Sequence, residues 1–148
     1  MENYLKNEKY YNLIISACKI REMAYTPYSH YKVGAALLAK DGKVFTGCNI
    51  ENGSFSPTTC AERHAIHDAI KNGEKGFDAI AVVAGNENNT LLDFASPCGV
   101  CRQVMAEFCD DDFKIFLPQV ELNSDPIKIL DMKVFTLDEI LPFHFHLD

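Results

Sequence analysis

Apolar residues recur along the chain with two periods, and the changes of period mark its elements. Over residues 4–24, Leu13, Ala17, Ile20 and Ala24 fall on one helical face, with Lys19, Arg21 and Glu22 mostly off it. This predicts a first helix, broken by Thr26-Pro27-Tyr28-Ser29. Residues 31–38 and 43–51 read as strands. Asp41-Gly42 between them predicts a two-residue hairpin turn, because Gly tolerates positive φ. Along the second strand, side chains alternate between faces. Phe45, Gly47, Asn49 and Glu51 share one face, and Val44, Thr46, Cys48 and Ile50 the other. The two polar residues closing the first set predict the rim of a site.

Residues 52–57 read as a loop. Ala61, Ala65 and Ala69, joined by Ile66 and Ile70, predict a helix over 59–72 that Gly73 ends. The apolar run 77–84 predicts a buried strand, and 86–95 a polar loop. Ser96-Pro97 predicts the start of a further helix, with Ser96 as N-cap and Pro97 at the first helical position, running to about Phe108. Strands follow at 113–117 and 127–135, and a helical turn at 137–141. Strands alternating with helices indicate an α/β layer with some parallel pairing. The expected fold is a three-layer α/β/α sandwich around a mixed sheet of about five strands.

The 148 residues suit one domain, spanning 1–148. The net charge of −7, with no basic run, disfavours a nucleic acid polymer or an anionic membrane, since phosphate binding needs clustered Lys and Arg. A small neutral or cationic ligand fits. The N-terminal stretch has no basic segment followed by an apolar core, and no apolar run approaches the roughly 20 residues that span a bilayer. The expectation is a cytoplasmic protein, whose six cysteines are then not disulfide-bonded. Cys18, Cys48 and Cys109 are read as small buried hydrophobes.

Cys60, Cys98 and Cys101 carry chemistry. Cys98 and Cys101 lie three apart at a helix start, so both thiols face one point, and Cys60 opens the earlier helix. Helix N-termini favour thiolates. Soft thiolates suit Zn²⁺, and three of them leave a fourth tetrahedral position open, the pattern of a zinc that acidifies a bound water. Three thiolates on one dication leave a charge of −1, which opposes that acidification. Arg63, donating to the sulfurs, is the expected offset. Glu62, two residues past Cys60, is placed to move the water's proton.

The same residues admit other readings. Thr59-x-x-Glu62 matches a capping box. Cys98-Gly99-Val100-Cys101 matches a redox pair, which leaves Cys60 and Glu62 unexplained. His64, four residues past Cys60, would close a structural Cys₃His site in a zinc-stapled interaction protein without enzymatic activity. His144 and His146 admit a metal-binding reading, but fall in what reads as an exposed tail.

Zinc deaminases carry a metal ligand followed by x-E, and later P-C-x-x-C. Here the pattern stands as Cys60-Ala61-Glu62 and Pro97-Cys98-Gly99-Val100-Cys101. With Tyr28-Ser29-His30-Tyr31-Lys32-Val33-Gly34-Ala35-Ala36, Gly47-Cys48-Asn49-Ile50-Glu51-Asn52, Arg63, Ser96, Arg102-Gln103 and Leu141-Pro142, the chain resembles the small, single-domain cytidine deaminase family along nearly its whole length. The resemblance implies zinc-dependent hydrolysis of cytidine or deoxycytidine to uridine or deoxyuridine and ammonia, in pyrimidine salvage. It implies one Zn²⁺ per subunit, and a homotetramer with shared active sites. By resemblance, Asn49 and Glu51 bind the ribose hydroxyls, and Tyr31 takes the place of an aromatic, usually Phe, that packs on the pyrimidine. Ala61 contacts the base through its backbone, and Phe145 reaches a neighbouring subunit's site. Phe55 stands where the family often has Tyr. Gly85-Asn86-Glu87-Asn88, followed by Ser96-Pro97-Cys98-Gly99, also resembles blasticidin S deaminases, an alternative substrate reading.

Overall fold

The computed structural model describes residues 2–147 and sets a six-stranded mixed sheet between helices on both faces. In chain order the elements are α1 (Glu2–Leu5), α2 (Glu8–Arg21), β1 (Tyr31–Ala39), β2 (Val44–Cys48), α3 (Ala61–Lys71), β3 (Phe77–Asn86), β4 (Leu91–Leu92), α4 (Gly99–Phe108), β5 (Lys114–Glu121), β6 (Lys128–Thr136) and α5 (Leu137–Ile140). The sheet runs β2-β1-β3-β5, with β6 on β5 as well. β4 pairs with β5 at Val120 and Glu121, beyond the point where β3 leaves it. Among the described strands only β3 and β5 pair in parallel, through Ala79↔Lys114 to Ala81↔Phe116, beside an isolated parallel bridge between Tyr25 and Ile50.

Strand alternation divides the core in two. Leu37, Ile80, Val82, Ile115 and Leu117 meet Ala61, Ala65, Ile66 and Ala69 of α3, Met105 of α4 and Leu137 of α5. Ala36, Leu38, Ala81, Val83 and Phe116 meet Leu13, Ile14 and Ala17 of α2 on the other face. Two glycines let the helices approach closely. A Cβ on Gly34 would lie 2.1 Å from the Ala17 carbonyl oxygen of α2, and one on Gly47 would lie 2.4 Å from that of Ala61 on α3.

The structure adjusts several expected boundaries. The β1–β2 turn spans three residues, Lys40, Asp41 and Gly42. Gly42 N donates to Ala39 O, Ala39 N donates to Lys43 O, and Gly42 takes φ +92°, the left-handed position of a three-residue hairpin loop. The expected polar loop over 86–95 contains β4, which adds the sixth strand. The first helix divides at Asn7, whose side chain caps α2 by accepting from Lys9 N. The helix expected to open at Ser96-Pro97 starts instead at Gly99. Its N-cap is Cys98, whose thiol accepts from Cys101 N. Among the described residues, no helix is long and apolar enough to cross a membrane.

Candidate active site and metal centre

Helices α3 and α4 each precede one of the two parallel neighbours, β3 and β5. A helix that returns the chain to the start of a strand runs opposite to it, so both N-termini lie at the carboxyl end of the parallel pair. That is where α/β sheets gather their ligands. Cys60 is the N-cap of α3, with φ −74° and ψ 150°. Cys98 is the N-cap of α4, and Cys101 lies in its first turn. The topology thus brings three thiols from two segments to one point.

The three sulfurs lie within 4.8 Å of one another, and those of Cys98 and Cys101 are 3.4 Å apart. Tetrahedral zinc with bonds of about 2.3 Å spaces its sulfur ligands by about 3.8 Å. The cluster therefore suits that ion in size as well as in donor type. Arg63 Nη2 donates to Cys60 Sγ over 3.1 Å, and its Nε is buried without a hydrogen-bond partner among the described residues. A hydrogen bond from the Cys101 thiol holds the Cys60 thiol down at about 5, and Arg63 adds to this against the opposing effect of burial. The Cys101 thiol is pushed up by the same contact, by burial and by the negative Glu62. Before metal arrives, the cluster's first negative charge thus rests on Cys60.

Glu62 is 4% exposed. Burial raises its carboxyl above the ordinary range, and the negative Cys60 sulfur adds to the rise. It is not the end of a capping box, because Cys60 rather than Thr59 is the N-cap and makes no side-chain cap bond. His64 does not close the metal site. Its Nδ1 faces the Cys48 backbone, 3.1 Å from the oxygen and 3.3 Å from the nitrogen, and straps α3 to the end of β2. Among the described residues the metal-competent group here is Cys60, Cys98 and Cys101 alone.

The predicted rim residues lie at the end of the β1–β2 pair. Tyr31 opens β1 and is half-exposed. Asn49 lashes the two segments together: Oδ1 accepts from Val33 N at 2.8 Å, and Nδ2 donates to Tyr31 O at 2.9 Å. Glu51 Oε1 accepts from the backbone N–H groups of Tyr28 and Ser29 at 3.0 and 3.1 Å. Hydrogen bonds from Ser29 lead in holding its carboxyl below the ordinary range. Glu51 also lines an open cleft of about 320 Å³ with Tyr28, Ser29, Asn52, Phe55 and Thr58. Ala61 is fully buried as the first residue of α3. Phe145 is exposed and lines a small cavity with Gln103, Ala106 and Glu107 of α4.

Two arginines were not predicted. Arg102 donates to Pro97 O and Ile140 O at 2.8 and 2.7 Å, and so fixes the loop before Cys98 against α5. Arg21, 1% exposed, donates to Lys32 O, Gly85 O and Asn86 O, and ties the site ends of β1 and β3 together. Arg102 stood inside a quoted motif. Arg21 lay among polar helix residues, where nothing in the periodicity distinguishes a buried cation from a solvated one.

The chain matches the model of the cytidine and deoxycytidylate deaminase zinc-binding region over residues 7–117. It is 50% identical over 109 residues to a cytidine deaminase of Sporosarcina psychrophila, covering 74% of this chain and 76% of that protein. It is 32% identical over 126 residues to a blasticidin-S deaminase of Bacillus cereus, covering 83% and 82%. The crystal structure of cytidine deaminase from Burkholderia pseudomallei superposes with a TM-score of 0.76 at 40% identity, covering 91% of this chain and 98% of that one. The family match covers residues 7–117, which include all three clustered cysteines and most of the sheet, and the chain belongs to the cytidine and deoxycytidylate deaminase zinc-binding family.

Proposed function

We propose that the protein hydrolyses the exocyclic amino group of a free cytosine nucleoside, cytidine or deoxycytidine, giving the uracil nucleoside and ammonia. The observation that carries this reading is the convergence of Cys60, Cys98 and Cys101 beside a buried carboxyl, Glu62, two residues from the first of them. Zinc held by the three cysteines would supply the positive charge that acidifies a water molecule.

Everything else falls to the chain. Glu62 accepts the water's proton and delivers it to N3 of the ring, while the water oxygen adds to C4. A further proton transfer releases the C4 amino group as ammonia. A carboxyl raised by burial suits both acceptance and delivery, since general acid/base catalysis works best when the group's pKa approaches the working pH. Arg63 offsets the negative charge of the thiolates through its bond to Cys60. Tyr31 packs against the pyrimidine, and the Ala61 backbone contacts its edge. Asn49 and Glu51 bind the ribose hydroxyls. An amide keeps a second N–H and a second oxygen lone pair for this, and a carboxylate keeps its other oxygen. In a homotetramer, Phe145 of a neighbouring subunit completes the pocket. The setting is pyrimidine salvage in the cytoplasm by a single domain.

The relative named blasticidin-S deaminase supports a second substrate reading on the same chemistry. Both are tested by following loss of the cytosine absorbance with cytidine, deoxycytidine, cytosine, CMP and blasticidin S, alongside metal analysis. Turnover of the nucleosides, with zinc held by the three cysteines, is expected. Turnover of blasticidin S alone would replace the first reading with the second, and turnover of none would overturn both.

A further inference from the structure

A second group of metal-ligating side chains lies apart from the three cysteines. Asp111, His144 and His146 each offer one ligand atom, and these atoms lie within 4.8 Å of one another. Asp111 sits in the turn between α4 and β5, where its carbonyl accepts from Asp138 N of α5. The histidines come from the segment after α5. The reading of that segment as an exposed tail fails at His144, whose side chain is only 5% exposed.

His144 is oriented as a ligand. Its Nδ1 meets the Leu141 carbonyl oxygen, which fixes a proton on that nitrogen and turns Nε2 toward Asp111. Nε2 is buried and has no hydrogen-bond partner among the described residues. Asp111 Oδ1 stands 3.1 Å from it, but not along a hydrogen-bond direction. His146 Nε2 lies 3.8 Å from the same oxygen. Two atoms that share an ion point at the ion rather than at each other. Bonds of about 2.0–2.1 Å in tetrahedral geometry space two ligands by about 3.4 Å, a value these separations bracket. A cavity of about 340 Å³, lined in part by Glu107, Asp110 and His146, opens beside the cluster and leaves room for water ligands in a field of carboxylates.

We propose that Asp111, His144 and His146 form a second metal site, of the bis-imidazole carboxylate class that takes Zn²⁺ and neighbouring first-row dications. The ion bridges the α4–β5 turn to the chain end, and so sets the direction in which the intervening Phe145 projects. Its ligands are separate from the three cysteines and from Glu62, so the site stands or falls apart from the deaminase chemistry, and it meets that reading only through Phe145.

The test is calorimetric titration with Zn²⁺ of protein whose cysteine site is already filled. One further equivalent per chain is expected. Asp111→Asn and His146→Ala, both at exposed side chains that leave the buried His144 in place, should each weaken it at least tenfold. His67→Ala, at an exposed histidine of α3, should leave it unchanged. A titration that takes up no further equivalent would overturn the proposal. So would a second equivalent that survives in the Asp111→Asn/His146→Ala double variant, or one that His67→Ala removes.

Discussion

The Arg63 guanidinium donates to the Cys60 sulfur across 3.1 Å, one turn along the helix that Cys60 caps. Removing the cation therefore acts first on that sulfur. In metal-free protein, Cys60 should be alkylated with a midpoint near pH 5, far below an ordinary thiol. Arg63→Gln should move the midpoint upward, because it removes a donor and a charge that both favour the thiolate. The rate of iodoacetamide labelling against pH reads this directly. An unchanged midpoint would show that Cys101 alone sets the value.

Glu62→Gln keeps the shape of the side chain and removes its proton chemistry. Zinc content should match that of the wild type, while turnover falls by about 10²–10⁴. Near-normal turnover would remove Glu62 from the mechanism.

The same substitution should stabilise the metal-free protein. Burial favours protonated Glu62 in the folded state, so the folded chain binds this proton more tightly than the unfolded one. Stability is then present below the ordinary carboxylate range and is lost as pH rises through the raised value. Glutamine carries no such penalty. At pH 7 the metal-free variant should melt above the metal-free wild type, by about 2–4 °C for each kcal/mol recovered. Scanning calorimetry at pH 4 and pH 7 should show the gap opening only at the higher pH.

Gly34 and Gly47 separate stability from site geometry. A methyl group at either meets backbone at less than 3.0 Å, on α2 and α3 respectively. Gly34→Ala and Gly47→Ala should each cost about 1–3 kcal/mol in urea unfolding. Only Gly47→Ala pushes on the first turn of α3, which carries Cys60 and Glu62, so only it should also weaken zinc binding.

Asn49 and Glu51 are distinguished in the same way. Asn49→Ala leaves Val33 N–H without its acceptor, and should cost about 1–3 kcal/mol as well as raise KM. Glu51→Ala removes a part-buried carboxylate whose two backbone donors, on the exposed Tyr28 and Ser29, can turn to water, so it should raise KM for cytidine with little change in unfolding. A KM that does not move in Glu51→Ala would remove it from ribose binding.

What was legible in the sequence follows from how locally each feature is determined. The helix faces and the strand alternation persist because burial sets them within a few residues. The three cysteines and Glu62 were legible because ligand spacing at helix starts is itself local. The exact helix start was not. Ser96-Pro97 has the chemistry of a helix beginning, yet Cys98 takes the cap because its thiol reaches Cys101 N. The turn at Gly42 gained a residue because strand register, which reaches across the hairpin, decides loop length. His144 and Arg21 were illegible for one reason: their burial depends on segments distant in the chain.

The parallel pairing of β3 with β5 also orders events in time. The β1–β2 and β5–β6 hairpins close short loops, whereas Cys60 meets Cys98 and Cys101 only after β5 has docked beside β3 across some thirty intervening residues. Such distant pairing is the slow part of folding. The thiol cluster is therefore assembled late, and the ion it captures acts on a structure already built. Zinc should leave the refolding rate almost unchanged and slow unfolding instead, so that the metal serves as a latch on the finished sheet rather than as its nucleus.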